Sequence, residues 1–201
     1  MWGVRGGAGM KAEDWDRRYE AASVWSLAPN AWIAATLAGL GAGAAVDLGA
    51  GEGRNAIWLA SLGWQVTAVD FSGVGLARGA ARAKELGLEV TWVTADATTW
   101  VSPQLVDLVA VAYLQLPAAQ LASAIGNAGG YLAPGGTLAL IGHDRDNLER
   151  GVGGLQDPAV LHTVENLLAA ASGLDIIECA QFERVTAEGT AIDTVLVARA
   201  T

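Results

Sequence analysis

From Ala44 onward the sequence alternates short apolar runs with stretches of helical periodicity, which limits the chain to folds built from βα units around a largely parallel sheet. Ala44-Ala45-Val46-Asp47-Leu48 reads as a first strand and Arg54 to Leu62 as its helix. Gly63 closes that helix before a second strand, Gln65-Val66-Thr67-Ala68-Val69. Ser72 to Leu86 reads as a helix, Glu89 to Val93 as a third strand, Leu105 to Val111 as a fourth, and Pro117 towards Asn127 as another helix. Pro134-Gly135-Gly136 then turns into a fifth strand, Thr137 to Ile141. Two more strands are expected near 174–183 and 190–199, with a helix from about Val164 to Ala171 before them. Ahead of the sheet, Lys11 to Glu20 forms a short charged helix and Pro29 to Leu40 an apolar one ended by Gly41.

Length and composition place this pattern in one domain. The 201 residues, 52% of them hydrophobic, suffice for a core of several buried strands. A formal net charge of -9 argues against a nucleic-acid backbone or an anionic membrane as partner, since both need a basic surface, and a small-molecule substrate is expected instead. No run of about 18 apolar residues occurs, and the opening Met1 to Gly9 lacks the apolar segment of an export signal. With the single Cys179 unable to form an internal disulfide, a cytoplasmic location is expected. Met1 and Met10 both stand as starts, and monomer and homodimer both remain open.

The chemistry gathers where strands end. Val46-Asp47-Leu48-Gly49-Ala50-Gly51-Glu52-Gly53 is an acid-ended strand followed by a glycine loop, which lets a ligand approach the backbone without meeting Cβ atoms. A dinucleotide fingerprint would place its third glycine at position 54, where Arg54 stands; the glycine falls one residue early, favouring a nucleoside without pyrophosphate. Asp70 ends the second strand about 20 residues beyond the loop, where a carboxylate can accept hydrogen bonds from ribose hydroxyls. Asp96 ends the third strand and could accept from an exocyclic amine. Each acid alone reads equally well as a helix cap or turn former; three in register with the loop point to a cofactor site.

These residues resemble the class I S-adenosylmethionine-dependent methyltransferases: Asp47 to Gly53 is similar to their first motif, and Leu132-Ala133-Pro134-Gly135-Gly136 to the turn before their fifth strand. Trp15-Asp16-Arg17-Arg18-Tyr19 and Gly51-Glu52-Gly53-Arg54-Asn55-Ala56 resemble the branch containing tellurite-resistance and thiopurine-type enzymes, with Ala50 where that branch often has Cys. The resemblance implies a Rossmann-like α/β fold, a seven-stranded mostly parallel sheet sandwiched by helices with its last strand antiparallel. Residues 1–43 would form an N-terminal helical cap of the same domain and 44–201 the cofactor-binding core. It implies S-adenosyl-L-methionine as cofactor, and methyl transfer to a sulfur, nitrogen, oxygen or chalcogen atom of a small acceptor. It further implies that Asp47, Gly49 and Gly51 line the methionine end, Asp70 and Phe71 the ribose and adenine, Asp96 and Ala97 the adenine edge, that Ala112 sits near the sulfonium, and that Ala50 and Asn55 also bind the cofactor. Trp15 and Tyr19 occupy the place of a family helix that covers the cofactor, although a pair at helical spacing can equally be core.

The acceptor side is expected from Trp25, Arg54, Tyr113 and Gln115. Arg54 is a cation in the first turn of a helix, where the macrodipole disfavours it, so a nearby anion would explain it; a solvated arginine is the alternative. His143, just beyond the fifth strand, is the candidate general base, and an orienting role for its loop stands beside that reading. No His/Cys spacing suggests a metal. A nicotinamide-dependent oxidoreductase and a non-catalytic protein that binds S-adenosylmethionine remain as alternatives.

Overall fold

Strands buried on both faces need apolar residues at consecutive positions, and the chain supplies them: Val46 and Leu48, Ala68 and Val69, Val109 to Val111, and Leu138 to Ile141 are all inaccessible or nearly so. In the computed structural model, which describes residues 11–21 and 28–201, they form a seven-stranded sheet of order β3-β2-β1-β4-β5-β7-β6. The strands are β1 (Ala44–Leu48), β2 (Gln65–Asp70), β3 (Thr91–Thr94), β4 (Val106–Ala112), β5 (Leu132–His143), β6 (Asp175–Thr186) and β7 (Gly189–Arg199). The first five run parallel, and β7 pairs antiparallel with β5 and β6.

Helices cover both faces. Helices α2 (Ala31–Leu37), α3 (Arg54–Ser61) and α4 (Gly73–Glu85) pack on one side, around Ile33, Leu37, Leu59 and Leu76, with α1 (Ala12–Ala21) laid on α4. Helices α5 (Ala118–Gly130) and α7 (Val164–Ala170) cover the other around Leu121, Ile125, Leu138 and Leu167, and a short α6 (Asn147–Arg150) follows β5. Because β2 lies on one side of β1 and β4 on the other, strand order reverses at β1/β4. Open α/β sheets bind their ligands at such a reversal, beyond the strand carboxyl ends. No helix among the described residues is long and apolar enough to cross a membrane.

Several boundaries depart from the sequence reading. Helix α2 starts at Ala31 rather than Pro29 because Asn30 caps it, its side chain accepting from the Ile33 N–H. Strand β3 starts at Thr91 rather than Glu89, since pairing with β2 begins only at Thr67↔Thr91. Pro134-Gly135-Gly136 does not precede β5 but lies within it, at a register shift against β4, with Gly135 at φ 78°. Strand β6 runs on to Thr186 instead of ending near 183, because a tight turn through Ala187 and Glu188 joins it to β7, with the Thr186 hydroxyl donating to the Gly189 carbonyl.

Candidate active site

Three glycines with positive φ, Gly49 (77°), Gly51 (57°) and Gly53 (70°), fold the loop after β1 back over the sheet, and the Gly49 and Ala50 N–H groups donate to the Val69 carbonyl of β2. Two carboxylates brace this loop. Asp47 is 1% exposed and its Oδ2 accepts from the Ala56 N–H at 2.9 Å, tying β1 to the start of α3. Its Oδ1 is buried without a hydrogen-bond partner. Burial pushes the Asp47 carboxyl up to about 7, opposed by the Ala56 N–H and the Arg54 charge. Asp70 accepts from the Gly51 N–H through Oδ2 and the Ser72 N–H through Oδ1, both at 2.8 Å, and burial raises its carboxyl above the usual range. Each of its oxygens keeps a second lone pair for a ligand hydroxyl.

The early third glycine has a packing cause. A Cβ on Gly53 would lie 2.4 Å from the Trp92 ring and one on Gly79 2.6 Å from it, so the two glycines, from the loop and from α4, clasp the indole of β3. The spacing that separates this loop from a dinucleotide fingerprint is thus also what lets β3 close against it.

Helix α1 docks over the carboxyl end of β2. Asp16 accepts from the Ser72 hydroxyl at 2.5 Å and the Val74 N–H at 3.3 Å, at the amino end of α4. Tyr19 is buried against Gly75, and Trp15 stacks on it at 5.7 Å. Tyr19 is thus packed into the core, while Trp15 is only partly buried beside it.

Across the β1/β4 reversal stands a second polar group. Asp193 of β7 is fully buried and accepts three hydrogen bonds: from His143 Nδ1 at 2.9 Å, the Tyr113 hydroxyl at 3.0 Å and Arg184 Nε at 2.8 Å. Burial raises its carboxyl, but His143 and Arg184 outweigh that and hold it below the ordinary value. Tyr113, directly after β4, has φ 59°, the one positive φ outside glycine among the described residues, and its ring lies 4.7 Å from the His143 ring. Burial and the neighbouring Asp193 push the Tyr113 phenol up to about 12. Arg54 is half-buried between the two groups, influenced by both Tyr113 and Asp47; burial lowers its guanidinium. Beside the cluster a cleft of about 280 Å³ opens between the Val152-Gly153-Gly154 loop and the β6–β7 hairpin, with Arg184 in its wall.

Of the residues singled out from the sequence, Asp47, Gly49, Ala50, Gly51, Asp70 and Phe71 surround the loop–β2 corner. Asp96 is exposed at the end of β3, where Oδ1 accepts from the Thr98 N–H and hydroxyl, with Ala97 buried behind it. Asn55 is 4% exposed, and its Oδ1 accepts from the Asn30 N–H, so it joins α3 to the cap of α2. Ala112 ends β4, and Gln115 follows with Nε2 buried and unpartnered. Tyr113 and His143 come together, their rings 4.7 Å apart. Trp25 lies outside the described residues. Asp193 and Arg184 were missed. Their only sequence signal is a lone acid and a lone arginine inside otherwise apolar or alternating strands.

The arrangement fits an adenosyl sulfonium ligand: spare lone pairs on Asp70 suit ribose hydroxyls, and the buried, unpartnered Asp47 Oδ1 suits a cationic or hydrogen-donating group. Residues 45–136 match the family described as methyltransferase domain. No curated protein matches the sequence. Among solved structures, the fold is similar to that of a protein from work on conversion of a disulfide bond into a thioacetal group during echinomycin biosynthesis. That match has 23% identity and a TM-score of 0.75, covering 94% of this chain and 91% of that one. It is also similar to N-methyltransferase NodS from Bradyrhizobium japonicum WM9 in complex with S-adenosyl-L-homocysteine (19% identity, TM-score 0.74, 94% and 97% covered). A third similar structure is TehB from Haemophilus influenzae (16% identity, TM-score 0.73, 94% and 67% covered).

Proposed function

We propose that this chain, whose residues 45–136 match a methyltransferase domain, is a class I S-adenosylmethionine-dependent methyltransferase acting on a small molecule whose sulfur, nitrogen, oxygen or heavier chalcogen atom is methylated beside Tyr113 and His143. The observation that carries this reading is the meeting of two groups at the strand reversal. The glycine loop with Asp47 and Asp70 stands on one side, and a hydrogen-bonded cluster around Asp193, which includes a histidine, on the other.

S-adenosylmethionine, when bound, supplies a methyl group made electrophilic by its sulfonium. Asp70 would hold the ribose hydroxyls, Asp96 the adenine edge, and Asp47 with the glycine loop the methionine end; α1, anchored through Asp16 and carrying Trp15 and Tyr19, would exclude water from that corner. On the acceptor side Tyr113 and Gln115 orient the incoming molecule, and His143 takes a proton from an acceptor that carries one. The formal net charge of -9 supports a small acceptor rather than a nucleic acid, and the single Cys179, unable to form an internal disulfide, fits the cytoplasm.

Calorimetry tests the cofactor side and a turnover assay the acceptor side. S-adenosylmethionine and its demethylated product should bind while NADH does not, and a panel of thiol, amine, hydroxyl and chalcogen compounds should include at least one that yields demethylated cofactor. Binding of NADH in place of S-adenosylmethionine would overturn the reading.

A further inference from the structure

We infer that Asp193 is a positioning residue for proton removal from the acceptor, holding His143 by Nδ1 and presenting Nε2 as the basic nitrogen. This rests on the transfer reading above. The antiparallel pairing of β5 with β7 sets His143 directly opposite Asp193, the last pair of the ladder. Their side chains therefore leave the same face of the sheet, and the 2.9 Å contact to Nδ1 follows from register rather than from a loop. A fully buried carboxylate that accepts from Nδ1 fixes the ring plane and the tautomer with its proton on Nδ1.

The remaining contacts of Asp193 constrain the same unit. Its Oδ2 accepts from Tyr113 and Arg184, so contacts on both oxygens hold the carboxylate against rotation away from His143. The Tyr113 ring lies against the imidazole, and its left-handed backbone brings it there from the end of β4. At the other edge of the ring stands Gly154, where a Cβ would come within 3.0 Å of both Cδ2 and Nε2. A glycine with φ 77° at this place keeps side-chain atoms away from the nitrogen assigned as base. In the step itself the acceptor X–H bond breaks and its electron pair stays on X. The proton passes to Nε2, and the imidazolium charge is balanced by Asp193 through Nδ1–H. The charged and titratable groups around the imidazole are Asp193 and Arg184 from the β6–β7 hairpin, Tyr113 after β4, and His162 behind β5, with Arg54 of α3 beyond Tyr113.

The test is Asp193→Asn with two acceptors, one that must lose a proton at the working pH and one already ionised. For the first, turnover should fall about 100-fold, and the acid limb of its pH profile should move to lower pH because the imidazolium has lost its counter-charge. The ionised acceptor should lose far less, and cofactor affinity should hold. Adding His143→Ala to Asp193→Asn should cost no more than His143→Ala alone. Equal losses on both acceptors with an unmoved pH profile would overturn the inference, as would additive losses in the double variant. If Asp193→Asn does not fold, the ¹⁵N shifts of His143 in the native protein decide the matter: a proton on Nδ1 with Nε2 bare supports it, and the opposite tautomer overturns it. A native protein that binds S-adenosylmethionine but methylates no acceptor would overturn the transfer reading, while the tautomer would still test the hold of Asp193.

Discussion

At the residue scale, left-handed glycines of this chain differ in what they protect. Gly53 combines a left-handed backbone with a Trp92 ring 2.4 Å from where its Cβ would stand, whereas Gly87, also left-handed, has nothing within reach. Gly53→Ala should therefore cost about 2 kcal/mol or more in urea unfolding, from backbone strain together with displacement of the indole. Gly87→Ala should cost only its backbone strain, about 1 kcal/mol. Adding Trp92→Leu should recover part of the first loss and none of the second; equal costs for the two alanines would show that Trp92 does not press on the loop. Asp47 and Asp70 were legible because an acid ending an apolar strand is conspicuous. Asp193 was not, because it lies inside a strand and acquires meaning only from partners 9, 50 and 80 residues away in the chain.

At the scale of elements, α1 reaches the site through its packing on α4. It rests on α4 through Asp16 and on Gly75 through Tyr19, and its outer surface carries the exposed Arg17. Removing the Asp16 carboxylate leaves the Ser72 hydroxyl and the Val74 N–H without their shared acceptor, worth about 1 kcal/mol. Asp16→Ala should accordingly speed tryptic cleavage at Arg17 and Arg18 about fivefold, the factor that such an energy implies for local opening. S-adenosylmethionine should protect both sites. Cleavage at the native rate would mean that the aromatic pair alone holds the helix. The sequence showed this helix and its aromatic spacing; the identity of Asp16 as the anchor depends on where Ser72 and Val74 come to lie.

For the whole molecule, two buried groups set opposite pH dependences. His162 is 1% exposed, with Nε2 unpartnered and its ring lying on Gly142, and burial brings its imidazole down to about 4. Its folded value is below the unfolded 6.5, so its contribution is complete above pH 6.5 and is lost as pH falls towards 4. Asp47, raised to about 7 from 3.8, contributes most at low pH and loses it as pH rises through 7. Between pH 4 and 6.5 the two slopes, each about 1.4 kcal/mol per pH unit, cancel in the ligand-free protein. Asp47→Asn should unmask the histidine. Relative to the native chain it gains about 3 kcal/mol between pH 4.5 and 6.5 in denaturant unfolding, and His162→Gln loses a similar amount over the same interval. Differences independent of pH would mean that neither group is held at the protonation state its burial imposes.

The alternation of apolar runs and helices by itself determined the parallel core. The central strands had to be buried on both faces, and helices had to do the burying. The glycine loop and the acids at strand ends were readable for a similar reason: the first motif, Asp47 to Gly53, is contiguous, and a conformation that needs glycine leaves its mark at a single position. What only the tertiary structure decided is the hydrogen-bonded cluster around Asp193. His143, Tyr113, Arg184 and Asp193 come from four strands or their ends, and no local propensity records their meeting; the register of β5 against β7, and of β7 against β6, is what brings their side chains within hydrogen-bond reach.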